Sequence, residues 1–235
     1  PEQASLIDDS GRILIPTANG LVTPGNAIRP DDPIREHFIF EFQAGLTVPL
    51  ASGPLVAPEA NRVIVSRHPG NLDHPIDHHF VAAVADPEAR IPWVLVSGFS
   101  QVDGVAMARA RISETLAAIR QWRRKPDPPR VHLELGAMPD PETFAIVRDY
   151  LVPAVDSLGL NEDELTATLT LAGQPPPDGF AAMVAALDQL QRRHDVPRLG
   201  LHTRHCCVTI TENDPLTEQA AQLYASAVAA SFARL

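Results

Sequence analysis

Two short runs place acids and amides where they could do chemistry. "VHLELG" sets His132 and Glu134 two residues apart. In an extended strand that spacing puts both on one face, with Leu133 and Leu135 on the other. Glu134 stands near the carboxyl end of this apolar run, where a carboxylate is costly unless it is paired, hydrogen-bonded or bound to a cation. "DSLGLNEDEL" places Asn161, Glu162, Asp163 and Glu164 directly after a second apolar run. Asn161 is a favoured N-cap, Glu164 at the third helical position completes a capping box, and acids in a first turn suit the helix dipole. The same side chains are oxygen donors of the kind that hold magnesium with its waters. Taken alone, "NEDE" reads more readily as a helix cap. If both runs end neighbouring strands of one sheet, His132, Glu134, Asn161 and Glu164 converge and a hard cation becomes the second reading.

Other candidates are weaker in isolation. "SRHPGNLDHPIDHHF" carries His68, His74, His78 and His79, but Pro and Asp break the spacings that a zinc site uses, and a solvated loop is the simpler reading. In "LHTRHCC", strand alternation puts His202 and Arg204 on one face, and Thr203 and His205 on the other. Cys206 and Cys207 read as small, soft fillers of a buried strand. Arg62 and Arg67 bracket the strand "VIVS" and could grip phosphates bidentately or form surface ion pairs. No Walker loop, no GxGxxG after a strand and no Gly-x-Ser-x-Gly elbow occurs.

The elements that must position these residues fall into two parts. Up to residue 66 the chain is β-rich: "RILIP", "EHFIFEF" and "RVIVS" are short apolar or alternating runs separated by Pro, Gly and Asn. From 67 to 235 strands and helices alternate. "WVLVSG" reads as a strand covered on both faces, followed by a helix with Ile112, Leu116 and Ile119 on one side. "RVHLELG" is the next strand, and Asp140 caps a helix that starts at Pro141 and turns Phe144, Val147 and Leu151 inward. "AVDSLGL" is a third strand, "GFAAMVAALDQLQRR" a helix, Leu199 to Ile210 a strand, and Asp214–Pro215 opens a last helix. Such alternation predicts an α/β fold, a parallel-type sheet with flanking helices whose ligands sit at the strand carboxyl ends, plus part of a smaller β-rich lid. The net charge of −10 argues against nucleic acid and acidic membranes as partners. No apolar run reaches the roughly 20 residues of a membrane span and no export leader is visible. With only two, adjacent, cysteines, a reducing, cytoplasmic setting is expected. The chain opens on Pro1, as after processing or a cut within a longer protein.

From Arg130 to Leu165 the sequence resembles the ADP-dependent glucokinase/phosphofructokinase family, a branch of the ribokinase-like sugar kinases, in which a His-x-Glu and an Asn-x-x-Glu motif follow one another. Here they are His132–Leu133–Glu134 and Asn161–Glu162–Asp163–Glu164. "HFIFEFQAG", "APEANRVIVSRHPG", "VLVSGFSQVDG" and "LHTRHCCVTITENDPLTEQA" agree in order. The resemblance implies transfer of the β-phosphoryl of ADP to a hexose or hexose phosphate, leaving AMP, with magnesium as cofactor, in glycolysis. It implies that Glu134 and Glu164, supported by His132 and Asn161, organise the magnesium. Arg62 would meet the nucleotide phosphates from the lid, His202 would lie near the nucleotide, and Arg67 would meet a sugar 6-phosphate. The family's catalytic aspartate lies in a Gly-x-Gly-Asp motif that these residues do not contain, and its N-terminal sugar-binding region has no counterpart here. The alternatives are a non-catalytic nucleotide- or sugar-binding relative or fragment, or a remnant in which "NEDE" only caps a helix and Glu164→Gln would cost little.

Overall fold

The computed structural model describes residues 13–27, 38–65, 75–136, 138, 140–203 and 206–232. Strands β1 (Ile15–Thr17) and β2 (Gly20–Val22) form an antiparallel hairpin, followed by the single turn α1 (Pro24–Ala27). β3 (Phe38–Phe42) and, after the small hairpin of β4 (Thr47–Val48) and β5 (Leu55–Val56), β6 (Asn61–Val65) pair antiparallel with Glu41 opposite Arg62. The three short runs expected as strands before residue 66 are therefore strands, the first displaced by a few residues.

The second part alternates as its periodicities require: α2 (His78–Ala85), β7 (Trp93–Val96), α3 (Gly104–Trp122), β8 (Arg130–Glu134), α4 (Pro141–Leu151), β9 (Ser157–Leu160), α5 (Glu162–Leu171), α6 (Gly179–His194), β10 (Arg198–His202), β11 (Cys207–Thr211) and α7 (Pro215–Phe232). One five-stranded sheet runs β11-β10-β9-β8-β7, with β7 to β10 parallel. Two expectations need correction. The stretch from Leu199 to Ile210 is not one strand: the chain turns between His202 and Cys207, and β11 returns antiparallel beside β10. Nor is β7 covered on both faces. Among the described residues it is an edge strand, with Val94 buried and Leu95 64% exposed. An apolar run alone does not separate a central strand from an edge. His78 and His79, read as part of a loop, are the first residues of α2, where Asp77 caps their helix by accepting from the His79 and Phe80 amides.

The register divides the sheet into two unlike faces. Leu133 aligns with Leu158, and Leu158 and Leu160 with Leu199 and Leu201; these residues and Val131 are all buried. Helices α3 to α6 lay Ile112, Val147, Leu165 and Leu187 into the same apolar core, so burial of leucine against leucine supplies the main driving force. The opposite face carries His132, Glu134, Ser157, Gly159, Arg198 and Gly200. That side holds the chemistry.

α2 is short and must be held from outside. Two side chains at the end of α3 do so: Trp122 Nε1 donates to the Val81 carbonyl at 3.1 Å. Lys125, only 8% exposed, donates to the carbonyls of Val84 at 2.9 Å and Ala89 at 2.8 Å. The ammonium satisfies the Val84 carbonyl, which the end of α2 leaves open, and the Ala89 carbonyl in the turn beyond it. Lys125→Met keeps the stem and removes the donor; it should cost about 2 kcal/mol in urea denaturation. An unchanged midpoint would show that these bonds contribute nothing net.

Candidate active site on the polar face of the sheet

The parallel ladder sets His132 beside Ser157, Glu134 beside Gly159, and Gly159 beside Gly200. Two side-chain-free positions in the middle of the face leave a cavity of about 200 Å³, lined by His132, Glu134, Arg198, His202 and, from α7, Gln222. The space over Gly159 is needed: a Cβ there would stand 3.0 Å from His132 Nε2 and collide with the Glu134 carboxylate. His132 Nε2 lies 3.2 Å from Glu134 Oε2, and His202 Nδ1 lies 3.7 Å from Glu134 Oε1. The His132 hydrogen bond, aided by the charges of His202 and His132, holds the Glu134 carboxyl below its ordinary range against the opposing effect of burial. At neutral pH Glu134 is therefore an anion with one oxygen engaged by His132 and the other 3.7 Å from His202 Nδ1.

The start of α5 is a complete capping box. Asn161 Oδ1 accepts from the Glu164 amide at 2.9 Å, and Glu164 Oε2 accepts from the Asn161 amide at 2.9 Å. Asn161 Nδ2 adds a third bond to Glu164 Oε1 at 3.0 Å. Both carboxylate oxygens thus accept, whereas a glutamine could match only one. Glu164 is 4% exposed. Burial pushes its carboxyl above the ordinary value of 4.5, the Asn161 amide opposes that, and the negative charge of Glu134 raises it further. The two acids sense one another across the ends of adjacent elements.

Of the residues singled out in the sequence, His132, Glu134, Asn161, Glu164 and His202 come together. Arg62 does not join them: it sits exposed on β6, opposite Glu41. Arg67, His68, His74, Arg204 and His205 lie outside the described residues. Ser157, Arg198 and the two glycines were missed. Their signal was present: "SLGL" and "RLGLH" each alternate leucine with a polar or absent side chain, which marks one apolar and one open face. Among the described residues no three His, Cys, Asp or Glu side chains converge as a ready metal cage. The donor set fits a cation differently. Glu134 lines the cavity, and the buried Glu164 feels a repulsion from it that a positive ion would relieve; magnesium takes one or two carboxylates and keeps most of its waters.

A mostly parallel sheet with helices packed on it is a fold this chain shares with solved ADP-dependent kinases. The match to the ADP-specific phosphofructokinase/glucokinase conserved region extends over residues 1–235, and the chain belongs to that family. It is 26% identical to the ADP-specific phosphofructokinase of Thermococcus kodakarensis over 236 residues, 92% of this chain and 50% of that protein. To the ADP-dependent glucokinase of Bos taurus it is 33% identical over 147 residues, 60% of this chain and 28% of that one. In structure it resembles an ADP-dependent kinase in complex with fructose-6-phosphate and ADPβS, with a TM-score of 0.68 at 22% identity over 86% of this chain and 47% of that one. A reconstructed last common ancestor of ADP-dependent phosphofructokinases from Methanosarcinales gives 0.64 at 24% identity, covering 86% of this chain and 45% of that one. The chain spans about half the length of the phosphofructokinases it matches. Among the described residues no helix is long and apolar enough to cross a membrane.

Two outcomes follow from this geometry. A raised carboxyl pKa means that the folded state keeps the Glu164 proton at a pH where the unfolded chain has released it. Its ionisation therefore removes stability as pH rises from about the ordinary 4.5 through the raised value. Denaturation of the parent and of Glu164→Gln at several pH values above 4.5 should show the parent losing stability relative to the variant as pH rises; parallel curves would refute the assignment. Gly159→Ala should destabilise by about 1–3 kcal/mol, the usual cost of overpacking, with far-UV circular dichroism unchanged. A neutral substitution would mean that Glu134 moves aside freely.

Proposed function

We propose that the intact protein is an ADP-dependent sugar kinase that moves the β-phosphoryl of ADP to a hexose or hexose phosphate and leaves AMP. The observation that supports this most is the meeting of Glu134, His132 and His202 at the ends of β8 and β10 beside buried Glu164, in a chain of this family. Phosphoryl transfer asks mainly for positioning and neutralisation of charge. Glu134 and Glu164, steadied by His132 and Asn161, would hold magnesium and its waters, and the bound ion supplies positive charge beside the diphosphate. The N-terminus of α5 turns its positive dipole end to the same place, where a diphosphate is favoured. His202 would lie by the nucleotide, Arg62 would reach the phosphates from a lid formed within residues 1–66, and Arg67 would meet a sugar 6-phosphate. The fructose-6-phosphate and ADPβS complex of the structural relative supports a nucleotide and a sugar phosphate as ligands. The work of such an enzyme belongs to cytoplasmic glycolysis.

One feature favours a second reading for these 235 residues by themselves. They contain no Gly-x-Gly-Asp, the family motif that carries the catalytic aspartate, so binding without turnover is the expectation for this stretch alone. Calorimetric titration of ADP with and without magnesium should show magnesium-dependent binding, weakened roughly tenfold or more in Glu134→Gln. AMP release, assayed with glucose and with fructose 6-phosphate as acceptors, should be absent for this stretch. In the full-length protein it should be present, with fructose 6-phosphate preferred. No ADP binding by either form would overturn the proposal, and robust turnover by the 235 residues would overturn the binding-only expectation.

A further inference from the structure

One row of polar groups crosses the open face of the sheet and ends on the candidate site. Arg198 Nε and Nη2 donate to Glu218 Oε1 at 2.9 and 2.6 Å, which anchors the guanidinium to α7. Its Nη1 donates to Ser157 Oγ at 3.0 Å. Ser157 Oγ lies 2.8 Å from His132 Nδ1, and His132 Nε2 lies 3.2 Å from Glu134 Oε2. Four elements, α7, β10, β9 and β8, each contribute to the row.

The row has a direction, because a guanidinium can only donate and a carboxylate can only accept. Ser157 is fully buried, and its hydroxyl hydrogen needs an acceptor. Arg198 offers none. His132 Nδ1 is the remaining partner, so Nδ1 must present its lone pair and the ring proton must stand on Nε2, where it meets Glu134. The opposite tautomer would strand the buried hydroxyl hydrogen and point the Nε2 lone pair at a carboxylate oxygen. Together those faults are enough to make the Nε2–H form dominant by about tenfold or more.

We infer that Ser157 and Arg198 are positioning residues: through the Glu218–Arg198–Ser157–His132 row they fix the tautomer of His132 and thereby the orientation of the Glu134 carboxylate. Glu134 Oε2 is held by the imidazole at 3.2 Å, and Oε1 lies 3.7 Å from His202 Nδ1. A bound group that uses Glu134 then meets an oriented acceptor and orders no side chain on arrival. The consequence for nucleotide rests on the kinase reading above, while the fixed tautomer does not.

The test separates the two. The protein is labelled with 15N-histidine and its His132 ring is assigned by comparison with His132→Gln, in long-range proton–nitrogen correlation spectra without ligand, at a pH where the ring is neutral. The expected pattern is a pyridine-like Nδ1 and a protonated Nε2. In Ser157→Ala the Nδ1–H form should rise to a substantial share, and Glu218→Gln, which loosens Arg198 without touching Ser157, should shift the same balance less. A parent ring protonated on Nδ1, or an unchanged tautomer in Ser157→Ala, overturns the inference whatever the protein binds. Magnesium–ADP affinity should fall about three- to tenfold in Ser157→Ala. Unchanged affinity beside an altered tautomer would overturn the positioning role. A fixed tautomer in a protein that binds no ADP in any form would sustain the row and sink the kinase reading.

Discussion

The alternation of leucine with small or polar residues in adjacent parallel strands is the constraint on which this structure rests. Side chains in a strand alternate faces, and the ladder locks neighbouring strands so that a slip of one residue would invert every assignment. With Leu133, Leu158 and Leu199 aligned on the core side, His132, Ser157 and Arg198 have no choice but to share the other. Hydrophobic burial, which is non-directional, thus fixes the placement of groups whose own interactions are strongly directional. The polar row does not hold the sheet together; the sheet holds the row in line.

Once there, each polar group must be satisfied. A buried serine, a half-buried histidine and two acids cannot be left without partners in a poorly hydrated face. Arg198 meets Glu218 from the helix packed over the sheet, and Asn161 occupies both oxygens of Glu164. The capping and metal-organising readings of "NEDE" turn out not to compete for the same property. The cap fixes where Glu164 stands, while burial and the nearby Glu134 decide how much its charge costs. That unrelieved charge is what a cation would answer.

Much of this was legible in the sequence. Period-two alternation placed His132 and Glu134 together, and Asn161 with Glu164 announced the start of α5 because caps are local signals. The strand order could not be read in the same way. Nothing in "WVLVSG" says that Leu95 faces outward at an edge, since edge and centre differ by a neighbour distant in sequence. The turn that splits Leu199–Ile210 into β10 and β11 contains no glycine or proline, and so lacked the usual punctuation. Ser157 and Arg198 were passed over for a related reason: each is unremarkable alone, and only the register makes them neighbours.

Gly159 and Gly200 differ in what they demand of the chain. Neither has a positive φ, so neither is a glycine for reasons of backbone conformation. Over Gly159 a methyl group has nowhere to go. Over Gly200 it would meet only ordinary contacts, the nearest being Arg198 Nη1 at 3.6 Å. A strand glycine with room for a side chain leaves the unfolded state more disordered than an alanine would, a handicap of about 0.4–1 kcal/mol. At that position the molecule carries excess chain entropy and keeps an open floor beneath the cavity. Stability and an accessible cleft pull there in opposite directions.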